Sequence, residues 1–494
     1  MKRMLINVLD AEETRIAILK KDVLDEFYIE REGENHHVGN IYKARVINVE
    51  PSLQAAFVDF GQSRNGFLHI SEVRPNALGL SALPGARREF GPDTPIQQVL
   101  KPGQELVVQV VKEEIGQKGC FLTTYLSIPG RYLVLMPGVA RCGVSRKIID
   151  EEERVRLKAV MRDLSPPRGL GFILRTAGQD RAKIDLQRDL RYLLRLWSSI
   201  CRRLDADPAP ACLYSESDLV IRTIRDLFTE DMEEILIDSE PVSERARDFL
   251  RAVMPRFVSR IRTYAEPEPL FHRHRIEMEI EKISERRVNL VSGGSIVIER
   301  TEALISVDVN SGKFTEGKDP EDMALRTNLE AASEIARQLR LRDLGGVVVC
   351  DFIDLRQESH CRQVERTLLE GLRTDRARTK MLRMSRFGII EITRQRVRSS
   401  VSSLLYEPCS TCAGSGQVKT VESMSLYVLR YIRRAAARGE GDRLTVQVHP
   451  AVASYLLNRK RPELLSLETA TSKRISIEAD PSYGVEEFKN QKPE

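Results

Sequence analysis

The sequence predicts a multidomain α/β chain, and three observations predict it. The chain has 494 residues, room for about three to five domains at roughly 100–200 residues each. Short strand-like runs punctuated by glycines crowd residues 39–128, and a strand–helix–strand pattern occupies residues 303–353. Hydrophobic residues make up 41% and charged residues 30%, a balance that buries real cores and excludes a disordered polyelectrolyte. Lys and Arg number 77 against 72 Asp and Glu, a net charge of +5. That excess is too small to argue for any polyanionic partner, so a basic function has to come from local clustering.

Taken in order, residues 4–9 and 14–19 alternate around a turn and read as a hairpin. The opening Met1-Lys2-Arg3 is followed by an apolar run that stops at Asp10, too short for a secretory leader. No run approaches the roughly 18 apolar residues of a membrane span, so a cytoplasmic location is expected. NIYKARVINV, AAFVDF and GFLHIS have Gly39, Gly61 and Gly66 at their joints. A Pro- and Gly-rich loop follows from about Pro75 to Pro95, and LVVQVVKE and CFLTTYLSI complete five strands, the pattern of a small closed barrel. Residues 129–215 hold a helix ended by Pro166-Pro167, a strand (GFILRT) and a long helix, and DADPAPA at 205–211 reads as a boundary. Residues 216–265 read as mostly helical with one strand near EEILID. ALISVDV (303–309) reads as a strand. Asp319-Pro320 opens a helix striped by Leu325, Leu329, Ala332, Ala336 and Leu339. Gly345-Gly346 stops it before the strand VVVCDFI (347–353), and a helix around 422–438 begins a small α/β tail.

The strand–helix–strand unit carries the strongest local chemistry. Asp308 lies near the end of its first strand and Asp351 near the end of its second. Such a crossover makes the strands parallel, so both ends lie on one side of the sheet, roughly 5 Å apart when the strands are neighbours. Two carboxylates there repel each other unless a cation lies between them. Oxygen ligands with open positions favour Mg2+ or Mn2+. Asn310 and Asp354 stand close by in sequence. The plainer reading is that these aspartates cap helices.

RTDRARTKMLRMSR (373–386) places Arg or Lys at 373, 376, 378, 380, 383 and 386, and Arg394, Arg396 and Arg398 follow. Such a run is most often a solvated face; beside a metal site it gains a nucleic-acid reading. Phe57, Phe67 and His69 fall on short barrel strands, with Lys43 and Lys112 on neighbouring ones. Exposed aromatics beside lysines suit single-stranded RNA, while Phe60 suits the core. Cys409-x-x-Cys412, with Gly414 and Gly416 after it, supplies two of the four thiolates or imidazoles that structural Zn2+ wants. The others could come from Cys350 or Cys361, or from the same turn of a second chain. A redox pair is the remaining use, and no thioredoxin-like pattern surrounds it. The other cysteines are scattered and read as reduced thiols.

FVDFG followed by GFLHISE resembles the S1 RNA-binding module, an OB-fold barrel. With VGNIYKARV, TYLSIPGRYLVLMPG, GFILRTAG, LISVDVNSGKF, TNLEAASEIARQLRLRDLGGVVVCDFIDL, SRFGIIEITRQR and CSTCAGSG, the chain resembles the bacterial ribonuclease E/G family, most like its short, G-type catalytic chains. The resemblance implies an RNase H-like domain, discontinuous over 1–35 and 215–278. An S1 barrel (36–128) and a 5′-sensor (129–214) are inserted in it. A DNase I-like catalytic domain (279–403), a zinc link (404–420) and a small C-terminal α/β domain (421–494) follow.

The resemblance also implies roles. Asp308 and Asp351 match magnesium ligands and Asn310 the asparagine that works with them. Arg378 matches an arginine holding RNA near the scissile phosphate. Phe57, Phe67 and Lys112 match RNA-gripping positions. Gly130, Val134, Arg175 and Thr176 match a 5′-monophosphate sensor. Cys409 and Cys412 match a pair holding one Zn2+ shared between two chains, with a homodimer as the minimum and a homotetramer left open. The implied reaction is Mg2+-dependent hydrolysis of single-stranded RNA to 5′-phosphate and 3′-hydroxyl ends, favouring 5′-monophosphorylated substrates, with rRNA and tRNA precursors and mRNA as targets. The chain stops soon after the small C-terminal segment, so the scaffold role of the family's long-tailed members is not expected. The rivals are a non-catalytic RNA-binding protein and a DNA nuclease.

Overall fold

Met4, Leu5 and Ile6, and then Ile16, Ala17, Ile18 and Leu19, are all buried. Unbroken apolar runs of this kind belong to strands covered on both faces. The hairpin accordingly lies inside a larger sheet. Its strands are Lys2–Asn7 and Glu13–Lys20, slightly displaced from the expected bounds, and a third strand, Val23–Arg31, extends it. On the other side Lys2–Asn7 runs parallel to Met232–Ile237, which is parallel to Ile261–Thr263. The computed structural model describes all residues except 1, 11, 32–36, 75–93, 114–118, 140, 141, 146, 147, 149, 168, 217, 313–319, 397–400, 402–404, 408, 413, 439–441 and 492–494. Most of the expected Pro75–Pro95 loop, the Asp319 helix start and Arg398 thus lie outside the described residues. Residues Met1–Val401 form one compact unit and Ser402–Glu494 another.

The five expected barrel strands are Ile41–Glu50, Ala55–Asp59, Gly66–His69, Glu105–Lys112 and Phe121–Thr123, and the pairing of Ile41–Glu50 with Glu105–Lys112 closes them. Phe60, Leu68, Val108 and Leu122 fill the interior. A sixth strand, Ala211–Tyr214, pairs with Ile41–Glu50. The segment 205–211 leads from the long helix Lys183–Ala206 back onto the barrel. Lys43 is committed to that junction: its Nζ donates to the carbonyls of Leu204 and Asp207 at 3.2 and 2.9 Å. It does not stand free for a phosphate.

Between the barrel and the long helix, Ile128–Pro129, Leu133–Pro137, Leu170–Leu174 and Gly143–Val144 form a small sheet. Later in the same unit a six-stranded sheet runs Arg287–Asn289, Ser295–Arg300, Leu304–Asn310, Gly346–Asp351, Ile389–Arg394, Thr379–Met381. Only its two middle strands are parallel, joined by the helix Pro320–Leu341. That helix and Glu358–Arg373 bury Ala331, Ile335, Leu339, Val364 and Leu368 against Ile305, Val307, Val348 and Cys350. In the second unit the strand Arg443–Val448 lies between Arg474–Ala479 (parallel) and Phe488–Gln491 (antiparallel). The helix Val421–Arg438 packs Met424, Val428 and Ile432 into that core.

Candidate functional site

Leu304–Asn310 alternates: Ile305, Val307 and Val309 are buried, while Asp308 and Asn310 are exposed. A strand's side chains point alternately to its two faces, so the helices take one face and both polar residues occupy the other. In the neighbouring strand Val348 and Cys350 are buried and Asp351 is exposed. The parallel register sets Asp308 directly beside Asp351, one strand spacing away. Asn310 Nδ2 donates to Asp308 Oδ2 at 2.7 Å, which fixes the rotamer of that carboxylate.

The chain beyond Asp351 is pinned by residues that sequence reading did not single out. Asn328 is fully buried in the joining helix. Its Nδ2 donates to the Ile353 carbonyl at 2.7 Å, and its Oδ1 accepts the Ile353 N–H at 3.0 Å. Glu321 accepts the N–H groups of Arg356 and Gln357 at 3.1 Å and pairs with His360 Nδ1 at 3.0 Å. The two N–H groups hold its carboxyl below the usual carboxylate range. Among the described residues no three His, Cys, Asp or Glu side chains gather into a metal cage. The two like-charged carboxylates, exposed on adjacent strands, fit a small hard dication that keeps water or substrate oxygens in its remaining positions.

The expected basic surface divides into parts. Arg394 is buried and donates to Asp343 Oδ1 at 2.8 Å and Asp375 Oδ2 at 2.7 Å, so it holds the sheet and is not free for RNA. Arg378 is exposed but is not brought to the aspartate pair. Thr379 lies opposite Arg394, which lies opposite Gly346. Arg378 therefore stands at the Gly346 end of a strand whose other end is Asp351, about 17 Å away at 3.3 Å per residue. Its near neighbour Arg376 acts electrostatically on Arg131, beside Gly130. The part of the run that arrives beside Asp351 is 382–388: Ile389 is the register partner of Asp351, and Gly388 O accepts the Phe352 N–H at 3.2 Å.

Gly130, Val134, Arg175 and Thr176 come together on the small sheet. Val134 pairs with Ile173 and Pro129. Arg175 Nη1 donates to the Gly130 carbonyl at 2.6 Å and to Asp226 Oδ1 at 2.8 Å, and Thr176 is exposed next to it. Beneath them the buried Asp189 accepts the N–H groups of Arg131, Tyr132 and Leu133 at 3.1, 2.8 and 2.8 Å. A Cβ on Gly130 would lie 2.7 Å from Asp189 Oδ2, which is why glycine stands there. Burial works to raise the Asp226 carboxyl, but the Arg225 and Arg175 guanidiniums outweigh it and hold it below its ordinary value. The Arg175–Asp226 pair is therefore intact at neutral pH and comes apart only as acid takes the pH down through that depressed value.

On the barrel Phe57 and Phe67 are cross-strand partners with ring centroids 6.1 Å apart. Phe121, which the sequence reading left out, is the register partner of both Phe67 and Lys112. Its ring lies 5.5 Å from Phe67 and 5.9 Å from Lys112 Nζ. Three half-buried rings and a lysine thus share one face. In the second unit Cys409 is exposed and Cys412 half-buried, and Gly414 and Gly416 take φ of +87° and +72° just after them. The N–H groups of Cys412 and Thr411 hold the Cys409 thiol below its ordinary value. Cys350 is sealed in the core of the six-stranded sheet, and burial pushes its thiol up to about 12.

An aromatic barrel face and an acidic pair on an uncovered sheet define a class of protein built for nucleic acid. Residues 35–124 match the S1 RNA binding domain, 127–397 the ribonuclease E/G family, and 408–493 the RNase E/G, thioredoxin-like domain. The last description revises the expectation that nothing thioredoxin-like surrounds the Cys pair, which precedes the helix Val421–Arg438. Ribonuclease G of Salmonella typhimurium is 39% identical over 485 residues, covering 98% of each chain. Ribonuclease G of Escherichia coli K12 is 38% identical over the same length and coverage. Ribonuclease E of Haemophilus influenzae is 44% identical over 475 residues, 95% of this chain and 49% of its own. The chain spans about half the length of the ribonuclease E relatives it matches. The chain belongs to the ribonuclease E/G family. No described helix is long and apolar enough to cross a membrane.

Proposed function

We propose that the chain is a metal-dependent endoribonuclease that hydrolyses single-stranded RNA to 5′-phosphate and 3′-hydroxyl ends. The observation that carries this reading is the register of Asp308 against Asp351 on the uncovered face of the sheet, in a chain that also has an S1 barrel. Asp308 and Asp351 would hold Mg2+ or Mn2+, and that ion would supply charge neutralisation at the phosphate and an acidified water. Asn310 orients Asp308, and Asn328 and Glu321 keep the Asp351 strand end in place. Phe57, Phe67, Phe121 and Lys112 hold the strand by stacking and charge.

Gly130, Val134, Arg175 and Thr176 form the 5′-monophosphate sensor in this reading. Both described Arg175 side-chain bonds use Nη1, which leaves other N–H donors for a phosphate. Arg378 belongs with that end of the molecule in this reading, and the scissile phosphate takes other partners. The mixed sheets of 2–263 and 287–394 correspond to the RNase H-like and DNase I-like domains, and rRNA precursors, tRNA precursors and mRNA to the substrates, in the cytoplasm. Cys409 and Cys412 bind one Zn2+ with the same pair of a second chain, giving a dimer at least. The test is incubation of a 5′-monophosphorylated oligoribonucleotide and its DNA counterpart with the protein, with Mg2+ or EDTA. RNA cleavage that EDTA abolishes is expected. RNA binding without products would favour the non-catalytic reading, and cleavage of DNA alone would favour the DNA nuclease.

A further inference from the structure

The segment 382–388 has features that the reading above leaves unused. It ends in a closed turn: Ser385 N–H donates to the Ile389 carbonyl at 2.9 Å, and Gly388 N–H donates to the Ser385 carbonyl at 3.2 Å. Ser385 Oγ accepts the N–H groups of Phe387 and Ile389 at 3.2 and 3.3 Å. Gly388 takes φ +74°, and a Cβ there would meet the Phe352 carbonyl at 3.0 Å. The turn therefore fixes the backbone at Phe387, whose side chain is 80% exposed.

A pocket of about 640 Å³ lies alongside, lined by Arg356, Arg383 and Arg386. All three arginines are exposed, and none makes a described ion pair. Two of the three acids in the same wall are engaged: Glu365 accepts the Met384 N–H at 2.7 Å, and Glu358 accepts from Arg362 at 2.6 Å. Asp354 completes the wall three residues after Asp351. An outward aromatic beside unpaired guanidiniums is the combination that single-stranded nucleic acid uses, because bases stack and phosphates need charge.

We propose that this turn and pocket form a further RNA subsite next to the aspartate pair, where a base stacks on Phe387 and neighbouring phosphates of the same strand rest against Arg356, Arg383 and Arg386. The inference rests on the reading of the chain as a ribonuclease and adds where the strand is held on the Asp351 side. It also accounts for the basic run, whose Arg378 end lies far from the pair.

The test measures the affinity of the full chain for an unmodified single-stranded oligoribonucleotide in EDTA, where no cleavage is needed, at several salt concentrations. Each bound phosphate contributes about 0.7 to the slope of log K against log salt for single strands. The double variant Arg383→Ala/Arg386→Ala should weaken binding and flatten that slope by about 1.4. Arg383→Lys/Arg386→Lys should restore the slope, which separates lost charge from lost folding. Phe387→Ala should weaken binding by roughly tenfold, in the range of one stacked base, with the slope unchanged. Unchanged affinity and slope in these variants would overturn the proposal. So would a Phe387→Ala chain whose assembly size changes by light scattering while its RNA affinity does not, since the turn would then meet a second copy. Absence of cleavage by the wild type in Mg2+ would count against the ribonuclease reading alone, because the subsite is read in EDTA.

Discussion

Asp308 and Asp351 are register partners, yet different residues hold them. Asp308 is oriented by a side chain on its own strand, Asn310, while Asp351 depends on a buried amide, Asn328, that fixes the backbone beyond it. In the proposed site Asp308→Asn or Asp351→Asn removes a charged ligand and no RNA-gripping group. Each should lower kcat by at least about a hundredfold, the scale of losing one electrostatic stabiliser, with RNA affinity nearly kept. Near-wild-type turnover at saturating Mg2+ would remove both from the site. Arg175 allows a sharper comparison. A charged hydrogen bond is worth about 1.5–3 kcal/mol, so Arg175→Ala should slow 5′-monophosphorylated RNA by roughly tenfold or more relative to 5′-hydroxyl RNA. Equal losses on the two substrates would mean that it serves only Asp226 and the Gly130 carbonyl. Residue identity alone did not make these roles legible. Arg394 and Arg378 look alike in sequence, and only packing separates a guanidinium buried between Asp343 and Asp375 from one on the surface.

At the scale of elements, local periodicity carried the reading well where one face of a strand is buried. The alternation in Leu304–Asn310 and the five barrel strands could be read because apolar and polar residues take turns. Phe121 was within reach of the same logic. Leu122 is interior, so its neighbour has to face outward, but only the register shows that it meets Phe67 and Lys112. Lys43 shows the limit, since the carbonyls that hold it belong to another element. Phe121→Ala should raise KM for single-stranded RNA by about tenfold, the lower part of the range for one stacking platform. A KM unchanged within error would make this ring a packing residue for Phe67.

At the scale of the whole molecule the sequence shows the Cys409–Cys412 turn but not the further ligands that the proposed zinc would need, because metal geometry joins residues that share no local pattern. Cys350 is buried in the core of the six-stranded sheet. A zinc shared between two chains requires about half an equivalent per chain to fill four ligands. Cys409→Ser should release the metal and shift the protein toward monomer by sedimentation. One full zinc per chain, or an unchanged assembly without both cysteines, would exclude the shared site. Long-range pairing was equally hidden: nothing local to Leu5 announces Leu236 as its partner. That pairing has a consequence during synthesis. A ribosome adds roughly 5–20 residues per second, so the first strand leaves the exit tunnel on the order of ten seconds or more before its parallel neighbour exists. The barrel can close in that interval, since all its own strands precede residue 124. The nascent hairpin meanwhile shows a bare apolar edge to solvent, a template for wrong pairing that a chaperone would have to cover.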